Sequence, residues 1–365
     1  MRITFVLTLA TLLASPCFAQ QARSDTVSIE TSAAVDTAVD QHGTATSGTV
    51  MDSVISVGLG HGFEATVRPW AMRTTTMTAW NRQIWLATLR YQRTGRRISL
   101  RVDGGLIPSP VGLANMMLRP TLNPTIGLPS SMFQGLPQFE SKAPRSTLLG
   151  ALYPYGVTGT VSAKHWDARA AVIDTTPLRS RRVFAQTNPP RFANVVLGAG
   201  VTPVVGLRIG ASVTRGGWRR VSEVPATMVT TDSGSAPMSS YPARVVTVEA
   251  EYAVRHTSLA GEWIRDSIDI AGNRSIAPSG WFAQGQQTLT PRWFAATRVE
   301  RIAAPALLPS GAYETRRFSG VETVVGFRLT PELTVRGGHR AREAFGRSSF
   351  DHAAITSLVW SKRWM

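Results

Sequence analysis

The sequence predicts an all-β protein, a closed antiparallel transmembrane β-barrel of about fourteen strands, within a range of twelve to sixteen, with short periplasmic turns and long extracellular loops. Three observations predict it: an export leader, strands that alternate apolar and polar residues, and connections that alternate short and long.

The leader comes first. Arg2 precedes an apolar stretch, Ile3 to Leu13, that ends in Pro16-Cys17-Phe18-Ala19, a small-residue cleavage pattern, so residues 1–19 read as a signal peptide and the mature chain starts at Gln20. The apolar stretch is too short to cross a bilayer as a helix. Cys17 is the only cysteine and leaves with the peptide, which excludes disulfides, thiol nucleophiles and cysteine metal sites from the mature protein.

Residues 20–59 differ in composition from the rest of the mature chain. They are rich in Ser, Thr, Ala, Val and Asp, lack Trp, Tyr and Phe, and read as a disordered acidic periplasmic leader or plug. Residues 1–59 hold two arginines and five acids, so the remaining chain carries 37 basic against 18 acidic residues, a net +19. Residues 60–365 form the expected transmembrane barrel.

No internal run approaches the roughly 20 apolar residues of a membrane helix, whereas period two recurs. In Ile84 to Gln92 one face reads Trp85, Ala87, Leu89, Tyr91 and the other Leu86, Thr88, Arg90, Gln92. Val246, Val248, Ala250, Tyr252 and Val254 alternate with Thr247, Glu249 and Glu251, and Val321, Thr323, Val325 and Phe327 alternate with Glu322 and Arg328.

A soluble sandwich also alternates, so the connections decide. Short ones fall at 92–96, 163–165, 202–205, 255–256, 288–291 and 330–332; longer polar ones fall at 74–81, 106–152, 175–190, 217–241, 270–279, 303–316 and 343–350. Six short and seven long connections make fourteen strands, with both chain ends on the short-turn side. Trp85, Tyr91, Trp166, Trp218, Tyr252, Trp263, Trp281, Trp293 and Trp364 fall at or near strand ends, where aromatic girdles mark the two interfaces of a membrane.

On this architecture, on Gly104-Gly105-Leu106-Ile107-Pro108-Ser109-Pro110, where a strand enters the longest loop, and on Trp364 near the C-terminus, the chain resembles a Gram-negative outer-membrane porin of the general or anion- and phosphate-selective type. The resemblance covers residues 60–365. It implies passive diffusion of small hydrophilic solutes, a homotrimer, and Trp364 as the signal read by the barrel-assembly machinery.

With Trp85, Leu89, Val246 and Val248 toward lipid, the alternate positions Arg90, Arg101, Arg169, Arg208, Glu249, Glu251, Glu262, Arg298, Glu300, Glu322 and Arg336 face the lumen as candidate pore-lining residues. Both signs are present, and an arginine excess favours anionic or polar solutes. The long connection carries Arg119, Lys142 and Arg145 as candidate constriction residues if it folds inward; the other reading is an extracellular flap. Arginine outnumbers lysine 36 to 3, which reflects GC-rich coding as readily as selection. Arg179, Arg181, Arg182, Arg219, Arg220, Arg316, Arg317, Arg342 and Arg347 in or beside the loops suit lipopolysaccharide phosphates instead. Nucleic acid is not expected as a partner of an exported barrel.

The sequence offers no cofactor or metal motif. His42, His61, His165, His256, His339 and His352 lack metal-ligand spacing, and Asp351-His352 at a loop edge is the only acid–base pair of interest, so an enzyme is not expected. Two competing readings stay open: a gated or plugged transporter of hydrophobic compounds, with 20–59 as plug, and a structural or adhesive barrel acting through its loops.

Overall fold

The computed structural model describes residues 27–140, 143–150, 153–179, 191–224, 240–272 and 274–364. The expected signal peptide, residues 1–19, lies outside them. Strands β1 (Val27–Asp40), β2 (Ala45–Gly60), β3 (Phe63–Thr74), β4 (Asn81–Thr94), β5 (Ile98–Leu106), β6 (Tyr155–Ala163) and β7 (Trp166–Ile173) lead into β8 (Asn194–Val204), β9 (Leu207–Arg220), β10 (Ser240–Val254) and β11 (Thr257–Ile270). A three-residue piece, β12 (Arg274–Ile276), and β13 (Ser279–Thr288) both pair β11 and share one place in the ring. Then come β14 (Trp293–Leu307), β15 (Tyr313–Arg328), β16 (Leu333–Glu343) and β17 (Asp351–Trp364).

Every pairing is antiparallel between neighbours, and β17 returns to β1 through Ile29 opposite Trp364 to Asp40 opposite Ala353, which closes the sheet on itself. Closure removes the unpaired edges that an open sheet would expose. The barrel therefore has sixteen strand positions, not about fourteen. All thirteen expected connections are present; the extra two strands are β1 and β2, joined to the rest by turns at 41–44 and 61–62.

This corrects the reading of residues 20–59 as a disordered leader or plug from residue 27 onward; residues 20–26 lie outside the described residues. In β1 the outward residues Val27, Ile29, Thr31, Ala33, Val35, Thr37 and Val39 alternate with inward Glu30, Ser32, Ala34 and Asp36. In β2, Met51, Ile55, Val57 and Leu59 alternate with Asp52 and Val54. Of the acids that suggested disorder, Glu30, Asp36 and Asp52 stand on the inner face of the wall, where Asp52 meets Arg68.

Outward faces carry the exposed apolar residues Ile84, Leu89, Val157, Leu197, Val248, Leu259 and Val325. Tyr91, Trp166, Tyr252, Trp293 and Trp364 ring the short-turn end, with Trp293 packed on Phe327 at 4.6 Å between ring centres. Two expected girdle residues are inside instead. Trp85 and Trp218 are fully buried, each where a pairing register shifts by one residue. An extra residue in one strand re-aims the side chains beyond it, so Arg68 pairs with Leu86 while Pro69 pairs with Ile84, and Trp85 turns to the lumen.

Candidate functional site

The lumen is crossed by the connection 107–154, which settles inward rather than as an outer flap. Gly105 starts the inward course at φ 115°, a left-handed backbone that L side chains rarely adopt. The loop then buries Ile107, Val111, Leu118, Met132, Leu148 and Leu149 against inward Ile264, Ile268, Phe282, Ile302 and Phe318. It holds a 3-10 turn at Ala114–Leu118 and one helical turn at Ser130–Phe133.

A loop in a barrel needs its backbone groups satisfied, because each buried one without a partner costs about 1–3 kcal/mol. Inward charges supply them. Glu262 accepts from the Ala114 amide at 3.2 Å, Glu322 from the Ile126 and Gly127 amides at 2.6 and 2.7 Å, and Glu300 from the Ser130 amide and hydroxyl at 2.8 and 2.6 Å. Arg298 donates to the Gly127 carbonyl at 2.8 Å and to Thr125 Oγ1 at 2.7 Å. Arg336 donates to the Asn123 and Thr125 carbonyls, both at 2.8 Å. Glu262, Arg298, Glu300, Glu322 and Arg336 thus face inward as expected from the alternation, but the loop sits on them.

At the loop's far end, Glu140 pairs with Arg219 of β9 at 2.5 Å. Arg119 reaches the opposite wall, 2.8 Å from Glu30 and 3.5 Å from Asp52. Arg68 forks onto Asp52 with two 2.8 Å bonds and donates to the Tyr153 hydroxyl at 2.5 Å. Burial pushes the Tyr153 phenol above its ordinary pKa, so it accepts as a neutral group. Trp70, Trp85 and Tyr153 stack in series at 4.1 and 5.2 Å beside it. Neither the bulge that brings Trp85 inside nor this cluster carries a signal in the sequence beyond an out-of-phase Trp next to Leu86.

The remaining expected lumen residues stand on the wall nearer the short turns. Arg90 and Arg101 clasp Asp103 at 2.7 and 2.6 Å, and Arg90 lies 3.4 Å from Glu64. Across β7 to β10, Arg208 forks onto Asp167, meets Glu249 at 2.7 Å and stands 3.9 Å from Glu251, and Arg169 meets Glu249 at 3.2 Å. The side chains of Arg90 and Arg101 keep 24% and 33% exposure, more than any of the loop-seating arginines. Among the constriction candidates, Arg119 is inside and paired, Arg145 is exposed, and Lys142 lies outside the described residues.

The Asp351-His352 pair is split by the pleat. His352 points outward, with Nδ1 3.2 Å from His339 Nε2, while Asp351 meets Arg347 at 3.2 Å.

No protein-family model matches the sequence. No curated protein is similar to it either. Solved structures are similar in fold. OmpT, an outer-membrane protein of Vibrio cholerae, aligns with a TM-score of 0.59 at 10% identity over 94% of this chain and 100% of that one. OprB of Pseudomonas putida aligns with a TM-score of 0.56 at 12% identity over 93% and 94%, and an anion-selective porin of Comamonas acidovorans with 0.56 at 9% over 93% and 99%. At such identities the likeness is one of fold: the chain has the closed β-barrel of the outer-membrane porins.

Proposed function

We propose that the protein is an outer-membrane porin, exported by residues 1–19, that lets small hydrophilic solutes diffuse passively with a weak preference for anions. The observation that carries this reading is a long loop seated inside a closed barrel by charged wall residues, which narrows the lumen. Arg90, Arg101 and Arg119 line the narrowed passage, and their guanidinium groups raise the local concentration of anions. Trp364, at the short-turn end of the last strand, is the residue the assembly machinery reads.

A homotrimer fits the outer surface. The outward faces of β1 and β2 carry only uncharged residues, among them Ala33, Val35, Ile55 and Val57, which offer a flat apolar face to a second copy. The plugged-transporter reading loses its plug, because residues 27–60 are part of the wall.

The test is single-channel conductance of the refolded protein in a planar bilayer, with reversal potential under a salt gradient. Discrete open steps with a chloride-favouring potential that moves toward cations in an Arg90→Ala/Arg101→Ala variant support the reading. A folded preparation that stays silent overturns it in favour of a closed structural barrel.

A further inference from the structure

On the outward strand faces of this chain basic residues far outnumber acidic ones. Among the described residues, the only acids on outward strand faces are Asp269 and Glu343, whereas Arg73, Arg82, Arg215, Arg244, Arg265, Arg301 and Arg317 all point outward in the loop-side half of their strands. The other strand acids face in, where Glu30, Asp52, Glu64, Asp103, Asp167, Glu249, Glu251, Glu300 and Glu322 each lie within 4 Å of an arginine. The outward arginines have no such set of carboxylates beside them.

The arrangement is densest on β9 to β11. Arg215 and Arg244 are direct cross-strand partners, and Arg265 lies diagonally across from Arg244. Like charges placed opposite each other on a sheet repel, and neither Arg215 nor Arg244 meets a carboxylate among the described residues. Both line a groove of about 610 Å³ on the outer surface, together with the apolar Val195, Leu197 and Val213 and the polar Ser267 and Asp269. An apolar lining beside two facing guanidinium groups is complementary to an amphiphile with a phosphate head: the planar forks bridge phosphate oxygens and the acyl chains cover the apolar residues.

We propose that this groove docks a phosphorylated glycolipid of the surrounding leaflet, the lipopolysaccharide of an outer membrane, with its phosphate held between Arg215 and Arg244. The face is opposite in the ring to the uncharged β1 and β2 surface, so the lipid site and a trimer contact do not compete. The proposal rests on the outer-membrane reading, but not on what passes through the lumen.

The experiment is native mass spectrometry of the refolded full chain released from detergent micelles after incubation with diphosphorylated lipid A, its dephosphorylated form, or phosphatidylglycerol. The expected result is one retained lipid A per barrel, at least tenfold less retention in Arg215→Gln/Arg244→Gln, and unchanged retention in Arg93→Gln, an outward arginine at the short-turn end. Retention by the double variant equal to that of the unaltered protein, or equal retention of dephosphorylated lipid A or of phosphatidylglycerol, overturns it. Heat-dependent gel mobility reports whether each variant is folded, and the single Arg244→Gln variant replaces the double one if that fails to fold. Conductance of the same preparations separates the two readings: a conducting barrel that retains no lipid A sinks this proposal alone, and a silent barrel that retains lipid A sinks the porin alone.

Discussion

Arg298 has almost no exposed surface, and its value lies in what it holds. Its guanidinium satisfies carbonyls of the inward loop while standing 3.6 Å from Glu300 and 3.9 Å from Glu322, which in turn hold loop amides. Removing one member of such a buried set leaves the others uncompensated, at a cost of about 3–5 kcal/mol. Arg298→Met is therefore expected to unseat the loop without opening the barrel; limited proteolysis between residues 120 and 140 and increased current noise are the measurements, and a loop as resistant as before contradicts this seat. Gly105 makes a second residue-scale prediction. A Cβ there strains the backbone by about 1–3 kcal/mol and meets the Ala87 carbonyl. Gly105→Val should lower the thermal midpoint and raise conductance together, read by melting and by bilayer recording.

Among the elements, β1 and β2 matter most to the closure of the wall. β1 is hydrogen-bonded on both sides, to β2 and to β17, so removing residues 27–60 opens two strand edges that lipid cannot satisfy. A chain beginning at residue 61 is expected not to acquire heat-modifiable gel mobility, whereas a true leader would be dispensable. The alternation of these strands is present in the sequence, but its contrast is weak. Thr31, Ala33 and Thr37 on the outward face are small, Glu30, Asp36 and Asp52 on the inward face resemble the acids of a disordered tail, and no aromatic marks either end. The turns are more legible. Arg255-His256 and the Thr-Pro turns bracket strands whose outward Val, Leu and Trp define the phase.

The whole molecule is asymmetric around its circumference. One stretch of the ring, β1 and β2, is smooth and uncharged outside; outward arginines stand on β9, β10, β11, β14 and β15, with Arg73 and Arg82 on the neighbouring β3 and β4. A charge placed in the smooth face should break self-association. Ala33→Arg with Ile55→Arg is expected to shift the refolded protein from trimer to monomer in native mass spectrometry, and Leu197→Arg on β8 to leave it trimeric. A lipid-facing arginine costs about 2–4 kcal/mol at mid-membrane, so melting midpoints of both variants serve as the folding control. The same pattern limits ion selectivity, because the lumen arginines Arg68, Arg90, Arg101, Arg169, Arg208 and Arg298 each stand beside a carboxylate, while the outward arginines do not face the permeant ion.

The class of fold, the place of six short turns and seven loops, and the inward phase of Arg90, Arg101, Arg169, Arg208, Glu249, Glu251, Glu262, Arg298, Glu300, Glu322 and Arg336 are all legible in the residue pattern. Each follows from local rules, since a pleated strand has period two and turn residues are chemically distinct. Tertiary structure decided that Trp85 and Trp218 turn inward, that the loop occupies the lumen, which wall residues it covers, and that residues 27–60 close the ring. Those depend on a one-residue register shift and on contacts between positions more than a hundred residues apart, such as Ser130 with Glu300. Periodicity fixes which side of a strand a residue occupies; only the closed barrel fixes what lies across from it.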